Sequence, residues 1–151
     1  MIKILMVCHG NICRSPMAEF VMKDMVKKAR MEDEFIIASA ATSTEEIGNP
    51  VHYGTREKLR SVGISCKGKT ARQMTRRDYD DYDLLIGMDM YNLRNMQRIA
   101  GGDPEGKIHS LLEYAGSSRD IADPWYTGNF DETYRDVVEG CSALLKELTG
   151  K

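Results

Sequence analysis

Cys8 and Arg14 stand six residues apart in the run Val7-Cys8-His9-Gly10-Asn11-Ile12-Cys13-Arg14-Ser15-Pro16, directly after Ile2-Lys3-Ile4-Leu5-Met6. The apolar stretch reads as a buried strand ending near Cys8. Ser15 and Pro16 read as the N-cap and first residue of a helix. A loop closing from strand to helix turns successive backbone N–H groups inward, and the helix start adds about half a positive charge, so the segment suits an anion without any metal. Arg14 adds a two-pronged fork for phosphate oxygens. The same field favours the Cys8 thiolate, which makes Cys8 a candidate nucleophile. Gly10 supplies backbone freedom where the chain bends round the anion. An isolated cysteine at a strand end is usually a small buried hydrophobe; the neighbours Gly10, Asn11, Arg14, Ser15 and Pro16 argue for chemistry here.

The elements that must position this loop alternate between strand and helix. The expected fold is an α/β three-layer sandwich, with a central four-stranded parallel sheet and helices on both faces. Strand candidates are Ile2 to Val7, Phe35 to Ala40, Leu84 to Met88 and Lys107 to Leu111. Met17, Val21 and Met25 make an apolar stripe at helical spacing, while Lys23, Lys27 and Arg30 fall on a solvated face. A second helix is expected from Thr55 to Val62, stopping at Gly63, and a third from Asp89 as N-cap, with Leu93 and Met96 inward. Asp131 caps a last helix whose Tyr134, Val137, Val138, Cys141, Leu144, Leu145 and Leu148 form a core stripe. Ligands of such sheets bind at the carboxyl ends of the strands, where Cys8, Ser43 to Glu46 and Asp89 all fall. The long polar segment around Asp123 belongs with them, since long loops in compact domains are often functional.

With 151 residues and 42% hydrophobic content, the chain suits one domain, residues 1–151. A formal net charge of −2 gives no electrostatic case for nucleic acid or a membrane surface, and the apolar start is too short for a signal core or a membrane span. A cytoplasmic location is expected, with no membrane insertion. The four cysteines then read as free thiols rather than a disulfide framework. His9, His52 and His109 are scattered without ligand spacing, so neither a metal nor a cofactor is expected.

Taken together, these residues resemble the low-molecular-weight protein tyrosine phosphatases, whose loop follows Cys-x-Gly-Asn-x-Cys-Arg-Ser-Pro near the N-terminus. Met17-Ala18-Glu19, Ser39 to Ser43, Thr70 to Met74 and Met88 to Leu93 continue the likeness. So does Asp123-Pro124-Trp125-Tyr126, where the family carries its general acid. The resemblance implies a metal-independent phosphatase acting on phosphotyrosine in proteins, a tyrosine kinase among them, and on small aryl phosphates. A monomer or weak dimer is expected. Catalysis is implied at Cys8, Arg14 and Asp123. His9, Gly10, Asn11, Ile12, Cys13 and Ser15 would form the phosphate-binding loop, with Asn11 tying it into shape. Ile12, Glu45, Trp125 and Tyr126 would line the substrate pocket. Cys13 is either an inert buried thiol or a partner that shields oxidised Cys8 as a disulfide.

Alternatives remain within and beyond this family. The similar arsenate reductases need two further cysteines, and none stands between Cys66 and Cys141. Protein arginine phosphatases carry threonine where Ile12 sits; an apolar Ile12 suits phosphotyrosine. Where several relatives have an aromatic side of the pocket, this chain has Thr44-Glu45-Glu46, which would repel acidic phosphopeptides. A phosphate-binding adaptor without turnover is the non-enzymatic reading. Gly63 to Thr70 also satisfies the nucleotide-loop spacing, with Gly68, Lys69 and Thr70 in register, but Gly63 ends a helix where such loops follow a strand.

Overall fold

A computed structural model describes residues 1–150. Strands β1 (Ile2–Cys8), β2 (Phe35–Ala41), β3 (Leu84–Gly87) and β4 (Ile108–Ser110) form one parallel sheet in the order β2-β1-β3-β4. Side chains alternate across β1: Ile4, Met6 and Cys8 enter one core, while Leu5 and Val7 enter the other. Burial on both faces explains why the strands read as continuous apolar runs.

Helices α1 (Arg14–Lys28) and α6 (Phe130–Thr149) pack together over the first core, with α2 (Tyr53–Ser61) beside them. Met17, Val21, Leu59, Val137, Cys141 and Leu144 are among its buried residues from the helices. Helices α3 (Arg76–Asp81) and α4 (Met90–Ala100) cover the opposite face with Tyr79 and Met96. The three-layer arrangement expected from the sequence is therefore present.

Several helix starts differ from expectation. Ser15 does not cap α1: the N-cap is Cys13, without a side-chain cap bond, and Ser15 is already helical. The Ser15 hydroxyl is turned to the Cys8 sulfur instead of to the helix amides. Asn129, not Asp131, caps α6 by accepting from the Glu132 amide, while Asp131 lies in the first turn and meets Lys58 at 2.8 Å. Helix α2 begins at Tyr53, ahead of Thr55, because the His52 ring accepts from the Gly54 amide. A short helix, α5 (Pro124–Thr127), interrupts the expected loop, with Asp123 as its N-cap. Gly63 (φ 80°) follows the end of α2, and the next helix begins only at Arg76, so the nucleotide-loop reading lacks its strand and its helix.

Candidate active site

The sheet order places β1 between β2 and β3, so the connections leaving the ends of β1 and β3 face a common crevice. Cys8 ends β1 and is buried at the floor of that crevice. Its sulfur accepts from the Asn11 amide at 3.3 Å and the Ser15 amide at 3.4 Å, and lies 3.0 Å from the Ser15 hydroxyl. Two backbone N–H groups and one hydroxyl thus converge on the sulfur.

The loop around it is held by Asn11. This residue takes a left-handed backbone (φ 58°) that asparagine tolerates better than most side chains. Its side-chain amide donates to Ser15 Oγ at 2.8 Å and Ser39 Oγ at 2.9 Å, and its carbonyl oxygen accepts from the Arg72 amide at 3.2 Å. Gly10 does not use the left-handed region, contrary to the role expected for it. A Cβ there would meet Glu46 Cγ at 3.4 Å and Ile12 Cγ1 at 3.7 Å, both ordinary contacts. The loop is also stitched to its neighbours: Thr42 N–H donates to the Cys8 carbonyl, Ser43 N–H to His9, and His52 N–H to Ile12.

Arg14 is 3% exposed. Its Nη1 donates to Asp89 Oδ2 at 2.7 Å and to the Ile121 carbonyl at 2.9 Å, and its Nη2 reaches Asp123 Oδ2 at 3.4 Å. Burial opposes its charge, but Cys8, Asp89 and Asp123 outweigh that cost and hold the guanidinium above the ordinary arginine range. Asp123 is carried in by a segment pinned at two points: Ile121 N–H donates to the Met88 carbonyl just after β3, and Thr133 Oγ donates to the Ala122 carbonyl. Its other oxygen accepts from the Trp125 amide, which fixes the carboxylate toward the crevice.

Cys8, His9, Gly10, Ile12, Cys13, Arg14, Glu45, Glu46, Asp123, Trp125 and Tyr126 surround a single cavity of about 180 Å³. The sequence-predicted pocket residues are thus brought together. Trp125 is steadied by an edge contact with the His52 ring at 5.6 Å, and His52 stacks on Phe130 at 5.3 Å. Glu45 meets His9 Nε2 at 2.6 Å on the exposed rim. The Cys13 thiol is pushed up to about 12, first by burial and then by Cys8 and Asp123. Among the described residues no group of three or more His, Cys, Asp or Glu side chains is gathered as a metal cage.

Two contacts are not legible in the sequence. Asp89, expected at the ligand end of the sheet and as an N-cap, is that cap through Oδ1 to the Asn92 amide, and its Oδ2 also grips Arg14. Glu19, inside an otherwise amphipathic helix, is buried and accepts from Ser39 Oγ, joining α1 to the loop network. Its spacing of four from Lys23 was the available signal.

The family model for low molecular weight phosphotyrosine protein phosphatases matches residues 3–151. The chain belongs to this family. A low molecular weight protein-tyrosine-phosphatase of Bacillus subtilis, YfkJ, is 43% identical over 150 residues, which cover 98% of this chain and 96% of the relative. Its crystal structure superposes with a TM-score of 0.94, covering 99% of this chain and 96% of that one. The structure of the low molecular weight protein tyrosine phosphatase SP-PTP from Streptococcus pyogenes gives 0.90 at 42% identity, covering 100% and 95%. A Drosophila arginine phosphatase gives 0.89 at 28% identity, covering 98% of each chain. The chain is a phosphatase of the low molecular weight type, and its four-stranded core and helix layers are those of the family.

Proposed function

We propose that the chain, working as one domain, hydrolyses phosphotyrosine in proteins and small aryl phosphates through a cysteinyl-phosphate at Cys8. The observation that carries this reading is the convergence of the Asn11 amide, the Ser15 amide and the Ser15 hydroxyl on the Cys8 sulfur, with Arg14 and Asp123 on the same cavity.

In the first step the Cys8 thiolate attacks phosphorus in line, forming the S–P bond as the P–O bond to the aryl group breaks. Asp123 gives its proton to the departing phenolate oxygen. The loop amides not committed to the sulfur and the Arg14 fork meet the equatorial oxygens, where negative charge is spread in the transition state. In the second step water attacks phosphorus, Asp123 takes a proton from it, and the S–P bond breaks. The Ser15 hydroxyl and the two amides receive the sulfur as it leaves with its electron pair. A nucleophile that must stay a thiolate suits the reducing cytoplasm.

Phosphotyrosine is favoured over phosphoarginine by Ile12, which presents hydrocarbon to the cavity, and by Trp125 and Tyr126 at its mouth. The test is phosphate release from otherwise identical phosphotyrosine, phosphoserine and phosphoarginine peptides, in chelator and reductant. Preference for phosphotyrosine supports the assignment. Preference for phosphoarginine would keep the nucleophile but overturn the role given to Ile12, and no release from any peptide would leave a phosphate-binding adaptor.

A further inference from the structure

Residues Gly63 to Lys69, which carry the unused nucleotide-loop spacing, form one wall of a second cavity of about 550 Å³ beneath α2. It shares no lining residue with the cavity above Cys8. Its floor is apolar: Val51 and Cys66 are buried, and Ile64 is partly buried against the main core. Its rim is cationic. Arg56, Arg60, Lys67 and Lys69 all line it, and no carboxylate does, in a chain whose formal net charge is −2.

Lys69 is the built element of this rim. Its side chain is 13% exposed, and its Nζ donates to the Ser39 carbonyl at 2.8 Å while lying 3.7 Å from Glu19. An ammonium has three donors. The Ser39 carbonyl takes one of them and Glu19 stands at ion-pair distance, which leaves donor capacity for an incoming acceptor. Burial holds this ammonium below the ordinary lysine range, so an added anion would relieve a cation that water serves poorly.

We propose that this cavity binds a small amphipathic anion, a hydrocarbon body bearing one carboxylate, sulfonate or phosphate head. The body covers the Val51, Ile64 and Cys66 floor, and the head meets Lys69 with Arg56 and Lys67. Ligand sites of this volume combine mostly apolar walls with a few placed polar groups. A nucleoside triphosphate fits less well. Its polyphosphate needs converging loop amides at a helix start, whereas Gly63 follows the end of α2.

The test is titration of the full chain with 1-anilinonaphthalene-8-sulfonate, with and without saturating inorganic phosphate to hold the Cys8 site. The expected result is one saturable site per chain that phosphate does not displace and that decanoate, below its micelle concentration, does. The double variant Arg56→Glu with Lys67→Glu should bind the dye roughly tenfold more weakly, with kcat/KM for p-nitrophenyl phosphate and the thermal midpoint unchanged. Displacement by phosphate, equal binding by the double variant, or displacement by magnesium ATP but not decanoate would each overturn the proposal.

Discussion

Asp89 holds Arg14 from the end of the neighbouring strand: Oδ2 lies 2.7 Å from Nη1, while Oδ1 caps α4 at the Asn92 amide. One carboxylate thus fixes both a helix start and the fork aimed at phosphate. With the Ile121 carbonyl it takes up Nη1, while Nη2 reaches Asp123 on the wall of the cavity.

Asp89→Asn separates these two duties, because asparagine still caps a helix but carries no charge. Its kcat/KM for an aryl phosphate should fall by roughly 10- to 100-fold, with inhibition by inorganic phosphate weakened. Asp89→Ala should lose about 1 kcal/mol more stability in chemical denaturation, from the missing cap. Unchanged kinetics in Asp89→Asn would reduce the ion pair to a structural contact.

The rim carboxylates are tethered, exposed Glu45 to His9 at 2.6 Å and half-buried Glu46 to Asn49 Nδ2 at 2.5 Å. Replacing both with glutamine should lower KM for an acidic phosphopeptide by roughly 2- to 10-fold at low salt, with the difference fading as salt is raised. An unchanged KM would place both carboxylates away from the peptide path.

Cys8 and Cys13 line the same cavity, and the Cys13 thiol is held near 12. Peroxide should oxidise the Cys8 thiolate to sulfenic acid; Cys13 sulfur then displaces hydroxide, forming the disulfide and, with the thiol proton, water. The attacking thiolate grows about tenfold per pH unit below its pKa, so the share of disulfide over sulfinic acid should rise from pH 7 to 9. Mass spectrometry of peroxide-treated protein checks this, and a share independent of pH would remove Cys13 as the partner.

Gly54 faces the Phe130 ring so closely that an added Cβ would lie 2.2 Å from Cζ. Gly54→Ala gains about 1 kcal/mol of helix propensity, yet it must displace a ring stacked on His52, which in turn supports Trp125. The net effect should be a destabilisation of about 1–3 kcal/mol. Trp125 is the chain's one tryptophan, so its emission should shift with the ring movement. A more stable variant with unaltered emission would contradict the stacking argument.

The loop was legible in the sequence because its parts are contiguous: Cys8, Asn11, Arg14 and Ser15 meet within one turn of chain. Strand identities were legible from burial on both sheet faces. Asp123 lies 109 positions from Arg14 and was reached only through the resemblance, since an Asp-Pro pair by itself reads as a turn. The helix starts misled where side chains serve the site: Ser15 has the composition of a cap but turns its hydroxyl to sulfur. Asp89 hid its second bond behind its first, because one oxygen satisfied the local rule and the other crossed 75 positions of sequence. The His52, Phe130 and Trp125 stack joins three separate segments and leaves no periodic signal.

The central claim is tested most directly by trapping the enzyme during turnover of p-nitrophenyl phosphate and locating the phosphoryl group by mass spectrometry of the tryptic fragment from Ile4 to Arg14. Phosphorylation of Cys8 that disappears in Cys8→Ser, together with loss of turnover, is the predicted result. Phosphate on Cys13, or full turnover in Cys8→Ser, would contradict it.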